Sequence, residues 1–526
     1  MPETAGALTL VKLSGGSPAL KFNIKQFSSA AARESWRMAY RLVKWLLIIC
    51  LAIMLGFTMF AVSSLPSLQP WHTERVAGEF KAYKDSGIDF DTYMRREAVL
   101  FENMQTEIDS WDQNNEAFIY SRFNRASNFD RLAEGAPFNR SFRWTVDKPK
   151  GHALLIHGLT DSPYSMKAMA ETLHARSFDI TVLRLPGHGT LPSMMTEMSL
   201  SDWNAAVRIA ARDVAKRTPP DQPFYLAGHS TGGTLSLQFA LDALDDKSLR
   251  MPDRLLLMSP AINITKVAVV AGFIDFMSVV PIPVLEKVRW IDVMPEFDPY
   301  KFNSFTVNAT RQVNRSARAL RRSLSDAAES GRIADLPPIV TWQSVVDSTV
   351  GSAGAVDVLY PALKGAKHRL ELFDVNRTRA FASVQRPQAR ATIERLLRTP
   401  RDYTFDVVGN ADQQSALVTV TRTTPDNSSM VLDTGLQWPA DVVSVGHVAL
   451  PFPPNDPIYG FMPGSGHDGI PSIGSLLLRG ENGAISISLG SLTRLRSNPF
   501  WPLISSDIDG FVTEDLAAKQ ALSEQK

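Results

Sequence analysis

Leu226-Ala-Gly-His-Ser-Thr-Gly-Gly233 places a Gly-x-Ser-x-Gly motif around Ser230. A serine hydroxyl is a poor nucleophile until a neighbouring base removes its proton and nearby donors hold the developing oxyanion. Gly228 and Gly232 have a steric role, because a sharp strand-to-helix turn leaves no room for side chains on either side of a projecting serine. The flanks fit that turn. Phe224 to Ala227 reads as a short buried strand, and Thr231 to Leu244 as an apolar-periodic helix. Five residues with three fixed positions also occur in plain glycine-rich turns, so the context carries the weight.

Outward from Ser230, strands and helices alternate with short connections. His152–Ile156, Asp179–Leu185, Phe224–Ala227, Arg254–Met258, Pro338–Gln343 and Arg369–Phe373 read as strands. Pro163–Phe178 and Ser199–Lys216 read as helices, the second opened by a capping box from Ser199 to Asp202. This alternation predicts an α/β fold with a mostly parallel central sheet and helices on both faces. Ligands of such sheets bind at the carboxyl ends of the strands, where Ser230 stands.

The acid and base of this kind of elbow follow it along the chain, in the order Ser, Asp or Glu, His. Asp347 comes just after the strand Pro338–Gln343 and is the candidate acid; Asp374, after the next strand, is the weaker one. Among nine histidines, two are serious candidates for the base. His447 ends the strand-like run Asp441–Gly446, whereas His467 lies in the flexible loop Gly464-Ser-Gly-His-Asp-Gly469. A base must be held rigidly, which favours His447. His157 and His188 precede the nucleophile and suit other roles; His229 is read as pointing away, and His72, His152, His174 and His368 as structural. The backbone N–H groups of Leu159 and Thr231 are the candidate oxyanion donors.

Leu155-Ile-His-Gly158, Arg184-Leu-Pro-Gly-His-Gly189, Gly228-His-Ser-Thr-Gly232 and Asp347 together resemble the α/β-hydrolase superfamily. They are closest to its monoacylglycerol lipase and serine aminopeptidase-like branch. Val445 to Gly460 resembles the histidine segment of large membrane-anchored members. The resemblance covers about residues 140–375 well and implies a lid at 261–336. The spacing from Asp347 to His447 is about three times that of a compact member.

At the N-terminal end, Trp45 to Thr73 contains no Asp, Glu, Lys or Arg. An apolar helix of about 20 residues crosses the ~30 Å hydrocarbon core of a bilayer. Upstream stand Lys12, Lys21, Lys25, Arg33, Arg37, Arg41 and Lys44 against only Glu3 and Glu34. The excess of basic residues puts the N-terminus in the cytoplasm and residues beyond 73 on the other side. A cleaved signal peptide ending near Ala61-Val-Ser63 is the rival reading, but more than 40 residues precede the apolar core.

The expected organisation is a basic tail at 1–44, a transmembrane helix at 45–64, a helical layer at 74–138 and a catalytic domain at 139–510. That domain carries the lid 261–336 and an insertion at 376–440, and a C-terminal helix or tail follows at 511–526. Val267–Val284 is apolar with one charge, Asp275, but Pro281 and Pro283 argue for a lid over a second span. The net charge of +1 gives no reason to expect nucleic acid, and the single Cys50 excludes an intrachain disulfide. No His-Glu-x-x-His, cysteine pair or glycine-rich phosphate loop occurs, so no metal or cofactor is expected.

These readings converge on a membrane-anchored serine hydrolase of the carboxylesterase or lipase type. Its substrates would be acyl esters, of lipids or other apolar molecules. Aminopeptidase-like or acyltransferase chemistry on the same triad is the alternative within the class. A catalytically silent membrane-bound scaffold is the alternative outside it. The oligomeric state is left open.

Overall fold

The apolar runs become the strands of one large sheet. The computed structural model describes residues 29–64, 66–85, 87–119, 121–124, 137–263, 286–381, 387–462, 473–474 and 494–524. The chain divides into two units, residues 1–64 and 65–526.

Among the described residues the first unit is one helix, α1 (Ser29–Ser64). Trp36–Phe57 within it is long and apolar enough to cross a membrane, with mean hydropathy 2.0 and no buried residues. The helix starts well before residue 45, because the basic flank continues it without a break.

The second unit is built on strands β1 (Phe142–Trp144), β2 (Gly151–Ile156), β3 (Phe178–Leu183), β4 (Phe224–His229), β5 (Arg254–Met258), β6 (Trp290–Asp292), β7 (Phe305–Thr306), β8 (Ile339–Ser344), β9 (Arg369–Phe373), β10 (Thr404–Asn410), β11 (Leu417–Thr423) and β12 (Ser429–Gln437). Ten of them form a sheet in the order β1-β3-β2-β4-β5-β8-β9-β10-β11-β12, while β6 and β7 pair separately. From β3 to β10 the pairs are parallel; β1, β11 and β12 run antiparallel to their neighbours. After β2 the chain moves to β3 on one side and then to β4 on the other. The strand order therefore reverses between β2 and β4, and a crevice opens there beyond their carboxyl ends.

Helices cover both faces: α2 (Phe90–Asp109), α3 (Lys167–His174), α4 (Leu200–Arg217), α5 (Thr231–Asp245), α6 (Val307–Glu329), α7 (Gln388–Arg398) and α8 (Trp501–Glu524). The capping box that opens α4 is formed by Ser199 and Asp202. One core layer gathers Leu154, Ile156, Leu226, Leu255 and Leu257 with α4, α5 and α6; the other gathers Leu155, Tyr225, Ala227 and Leu256 with α3 and α8. This is the alternating signature of strands buried on both faces.

Three boundaries differ from the sequence reading. The expected lid 261–336 contains α6, whose Val313, Ala317, Leu320 and Leu324 are buried, so this half is scaffold. Residues 264–285, the apolar half, lie outside the described residues. The expected insertion 376–440 extends the sheet instead, since β10 lies parallel to β9 and β11 and β12 follow as a meander. Buried Asp406 in β10 is paired with Arg369 and Arg422, and these charges hide the strand in the sequence. The C-terminal helix begins at Trp501 rather than 511, where Ile504, Ile508 and Val512 dock on the sheet.

In the layer expected at 74–138, α2 buries Phe90, Tyr93, Leu100, Met104 and Ile108. It also buries Glu97, which pairs with Arg184 at 2.7 Å, while Glu79 pairs with the same guanidinium at 2.8 Å. The layer is thus tied by charge to the loop Arg184–Gly189 after β3.

Candidate active site

Ser230 occupies the turn between β4 and α5 with φ 54° and ψ −116°. A non-glycine residue in that region costs about 1–3 kcal/mol and persists only where its surroundings enforce it. Here they do. Its N–H donates to Met258 O at 2.9 Å, and its carbonyl accepts from Ala261 N at 3.1 Å, so the end of β5 fixes both sides of the residue. The flanking glycines are required by contact. A Cβ on Gly228 would stand 2.3 Å from the Gly232 carbonyl carbon, and one on Gly232 would stand 2.1 Å from Ile156 O. Both obstacles are backbone and cannot yield.

The loop after β2 abuts this turn: a Cβ on Gly158 would lie 3.1 Å from Ser230 Cβ. Buried His157 fixes the loop's direction. Leu185 N–H donates to its Nε2 at 3.0 Å, so Nδ1 carries the proton and donates to Gly158 O at 2.8 Å. In a trans peptide the following N–H, that of Leu159, points the opposite way from that carbonyl. Burial lowers the pKa of His157 to about 4, so the ring stays neutral as this arrangement needs. Thr231, the first residue of α5, has one of the four N–H groups that a helix start leaves without an intrahelical partner.

Asp347 and His447, 100 residues apart, meet at 2.9 Å between Oδ2 and Nδ1. Both side chains are buried. Gln343 Nε2 also donates to Oδ2 at 2.8 Å, and the N–H groups of Thr349 and Val350 donate to Oδ1 at 2.8 and 3.0 Å. Burial pushes the Asp347 carboxyl up, but neighbouring His447 and its hydrogen bond, aided by these amides, hold it well below the usual carboxylate range. An ionised carboxylate only accepts, so Nδ1 of His447 carries the proton and Nε2 presents a lone pair. His447 stands beside the elbow, because its ring lies 4.9 Å from that of His229, the residue before Ser230. Asp374, the weaker candidate acid, is paired with Arg377 instead. His467 lies outside the described residues.

Sequence reasoning missed four groups at this site. His229 does not point away: its Nε2 lies 3.2 Å from His447 O. Asp161, on the loop after Leu159, lies 3.3 Å from His229 Nδ1 and 2.7 Å from Lys301 Nζ. Gln343 is the fourth, on Asp347. The signal available for Asp161 was its place in His157-Gly-Leu-Thr-Asp161, a polar residue in the loop already singled out. His188 is buried 5.1 Å from His157, ring to ring, and burial lowers its pKa to about 3. Among the described residues no group of His, Cys, Asp and Glu is arranged to hold a metal ion.

The sequence profile of the Alpha/beta hydrolase family matches residues 153–457, more than half of the chain. A thermostable monoacylglycerol lipase from Bacillus sp. (strain H-257) is 36% identical over 87 residues, which are 16% of this chain and 34% of that protein. The chain therefore matches about a third of the length of this curated relative. Among solved structures, the monoacylglycerol lipase of Paleococcus ferrophilus is 17% identical, covering 49% of this chain and 98% of its own, with a TM-score of 0.33. A structure of the metagenome-derived lipolytic enzymes LipS and LipT is 18% identical, covering 49% and 96% of the two chains, with a TM-score of 0.37.

Proposed function

The chain belongs to the alpha/beta hydrolase family, and from that premise we propose that it is a membrane-anchored serine hydrolase of carboxylic esters. Ser230 Oγ attacks the ester carbonyl while His447 Nε2 takes its proton. Asp347 keeps the proton of His447 on Nδ1 and stabilises the imidazolium that forms. The N–H groups of Leu159 and Thr231 receive the oxyanion, and each such donor typically contributes about 3 kcal/mol in the transition state. His447 then protonates the departing alcohol, leaving an acyl-enzyme on Ser230. Water, deprotonated by His447, attacks the acyl carbonyl, and Ser230 leaves with the proton restored.

The observation that carries this reading is the 2.9 Å contact of His447 with Asp347 immediately beside a strained serine turn. Two unrelated parts of the chain converge there with the tautomer that a general base needs. Apolar acyl substrates, lipid esters among them, are favoured by the likeness to the Bacillus monoacylglycerol lipase and by the apolar run Val267–Val284 near the site in sequence. The anchor is α1, with residues 65 onward on the extracytoplasmic side because the basic residues precede the span.

The test is turnover of p-nitrophenyl esters of graded chain length by wild type and Ser230→Ala. The reading predicts activity that rises with acyl length and disappears in the variant. Full activity in Ser230→Ala overturns it.

A further inference from the structure

His447 sits in a turn outside any strand or helix. Asp347 orients its ring, but a ring on a turn also needs its backbone held. The contact that does so comes from His229, whose Nε2 faces the His447 carbonyl oxygen at 3.2 Å. Burial lowers the pKa of His229, so the ring stays neutral with its one N–H on Nε2, where it donates to that carbonyl. Its unprotonated Nδ1 lies 3.3 Å from Asp161 Oδ2 without a hydrogen bond, and the other oxygen of that carboxylate pairs with Lys301 Nζ at 2.7 Å. His229 and Asp161 are buried, and Lys301 is about a quarter exposed. Burial opposes ionisation of Asp161, but the Lys301 ammonium holds its carboxyl far below the usual range.

The four groups come from four parts of the site. Asp161 lies on the oxyanion loop, His229 on the elbow and His447 on the base turn, and Lys301 lies between β6 and β7. The packing leaves no slack. A Cβ on Gly158 would meet Asp161 Oδ2 at 2.7 Å and His229 Nδ1 at 3.1 Å. Beside Lys301, Phe302 N–H donates to Thr160 O at 2.8 Å, which joins the same two segments a second time.

We infer that His229, packed between the oxyanion loop and the base turn, is a positioning residue that sets His447 against Ser230 through the His447 main-chain carbonyl. It touches no substrate, and the inference rests on the reading of His447 as the base. The physical effect is on the approach of base to nucleophile, where a displacement of about 1 Å can lower a rate about 100-fold. The effect falls on kcat, because His229 acts through the base and is itself buried.

The experiment uses the full chain in detergent and compares wild type, Ser230→Ala, His229→Phe, His229→Leu and His229→Gln on one p-nitrophenyl ester. Phenylalanine keeps a ring and loses the donor; glutamine returns an N–H at the Nε2 position. The expected result is a fall in kcat of about 20-fold or more in His229→Phe with KM within about twofold. His229→Gln recovers kcat to within about threefold of wild type. A folded His229→Phe with wild-type kcat overturns the inference, and so does a glutamine variant as defective as the phenylalanine one. Should His229→Phe not fold, His229→Leu, which also lacks the donor, decides, and wild-type kcat there is the overturning result. Activity surviving in Ser230→Ala would count against the reading of the site; activity lost in Ser230→Ala but kept in His229→Phe counts against this inference alone.

Discussion

Asp347→Asn separates the electrostatic role of the acid from its packing. Asp347 accepts through Oδ1 from the backbone N–H groups of Thr349 and Val350, and through Oδ2 from His447 and Gln343. An asparagine must keep its oxygen toward the two amides, because its NH2 would face two donors there. The NH2 then occupies the Oδ2 position and donates to His447 Nδ1. Gln343 adapts by turning its amide, since its buried Oε1 has no partner among the described residues and can accept from the new NH2. The variant therefore keeps its hydrogen bonds while His447 is forced into the wrong tautomer, with its proton on Nε2 and no lone pair for Ser230. In a Ser-His-Asp triad such a change lowers kcat by about 10⁴, equivalent to about 5.5 kcal/mol of transition-state stabilisation. Stability should change by only about 1 kcal/mol. The assay is steady-state ester hydrolysis alongside a urea unfolding curve. Retention of more than about 1% of wild-type kcat refutes the reasoning, as does a loss of activity that merely tracks unfolding.

Buried neutral histidines set the pH response of stability. Burial lowers His72 and His188 to about 3, and His157 and His368 to about 4, below the ordinary value of 6.5. The folded state binds fewer protons than the unfolded one, so this stability is complete above about pH 6.5 and is lost as pH falls toward 4. Glu296 opposes it: burial raises its pKa to about 7, so its share is complete below 4.5 and lost as pH rises through 7. His368→Gln removes one of the four histidines, so its urea midpoint should fall less steeply between pH 6 and 4.5 than that of the wild type; parallel profiles contradict this. Gly232→Ala drives a Cβ into Ile156 O and should destabilise by more than about 3 kcal/mol or prevent folding, as seen by thermal unfolding. Gly510→Ala, in α8 with open space around it, should instead stabilise by about 0.5–1 kcal/mol in the same assay. Arg184→Met leaves the buried carboxylates of Glu79 and Glu97 without their cation and should cost about 3–5 kcal/mol in urea titrations.

The elbow could be read from sequence because its constraints are local: two glycines, a strand before and a helix after. The parallel core was legible for the same reason, since strands buried on both faces are unbroken apolar runs. Longer-range facts were harder. The helix α6 carries Arg311, Arg315, Arg318 and Arg322 along one side, which reads as a surface flap, yet its other side fills the core with Leu320 and Leu324. Strand β10 was hidden by Asp406, whose charge is matched only by arginines on neighbouring strands. The role of His229 could not be read at all. Its position in the motif is variable, and its neighbours Asp161 and His447 are distant in sequence and unmarked by any spacing rule.

The account turns on Ser230 being an activated nucleophile. A fluorophosphonate probe reacts only with a serine whose hydroxyl is so activated, and peptide mass spectrometry then locates the adduct. The prediction is one adduct, on the peptide containing Ser230, absent from Ser230→Ala and formed far more slowly in Asp347→Asn. A wild-type chain that hydrolyses esters without an adduct on Ser230, or labelling that persists in Ser230→Ala, contradicts it.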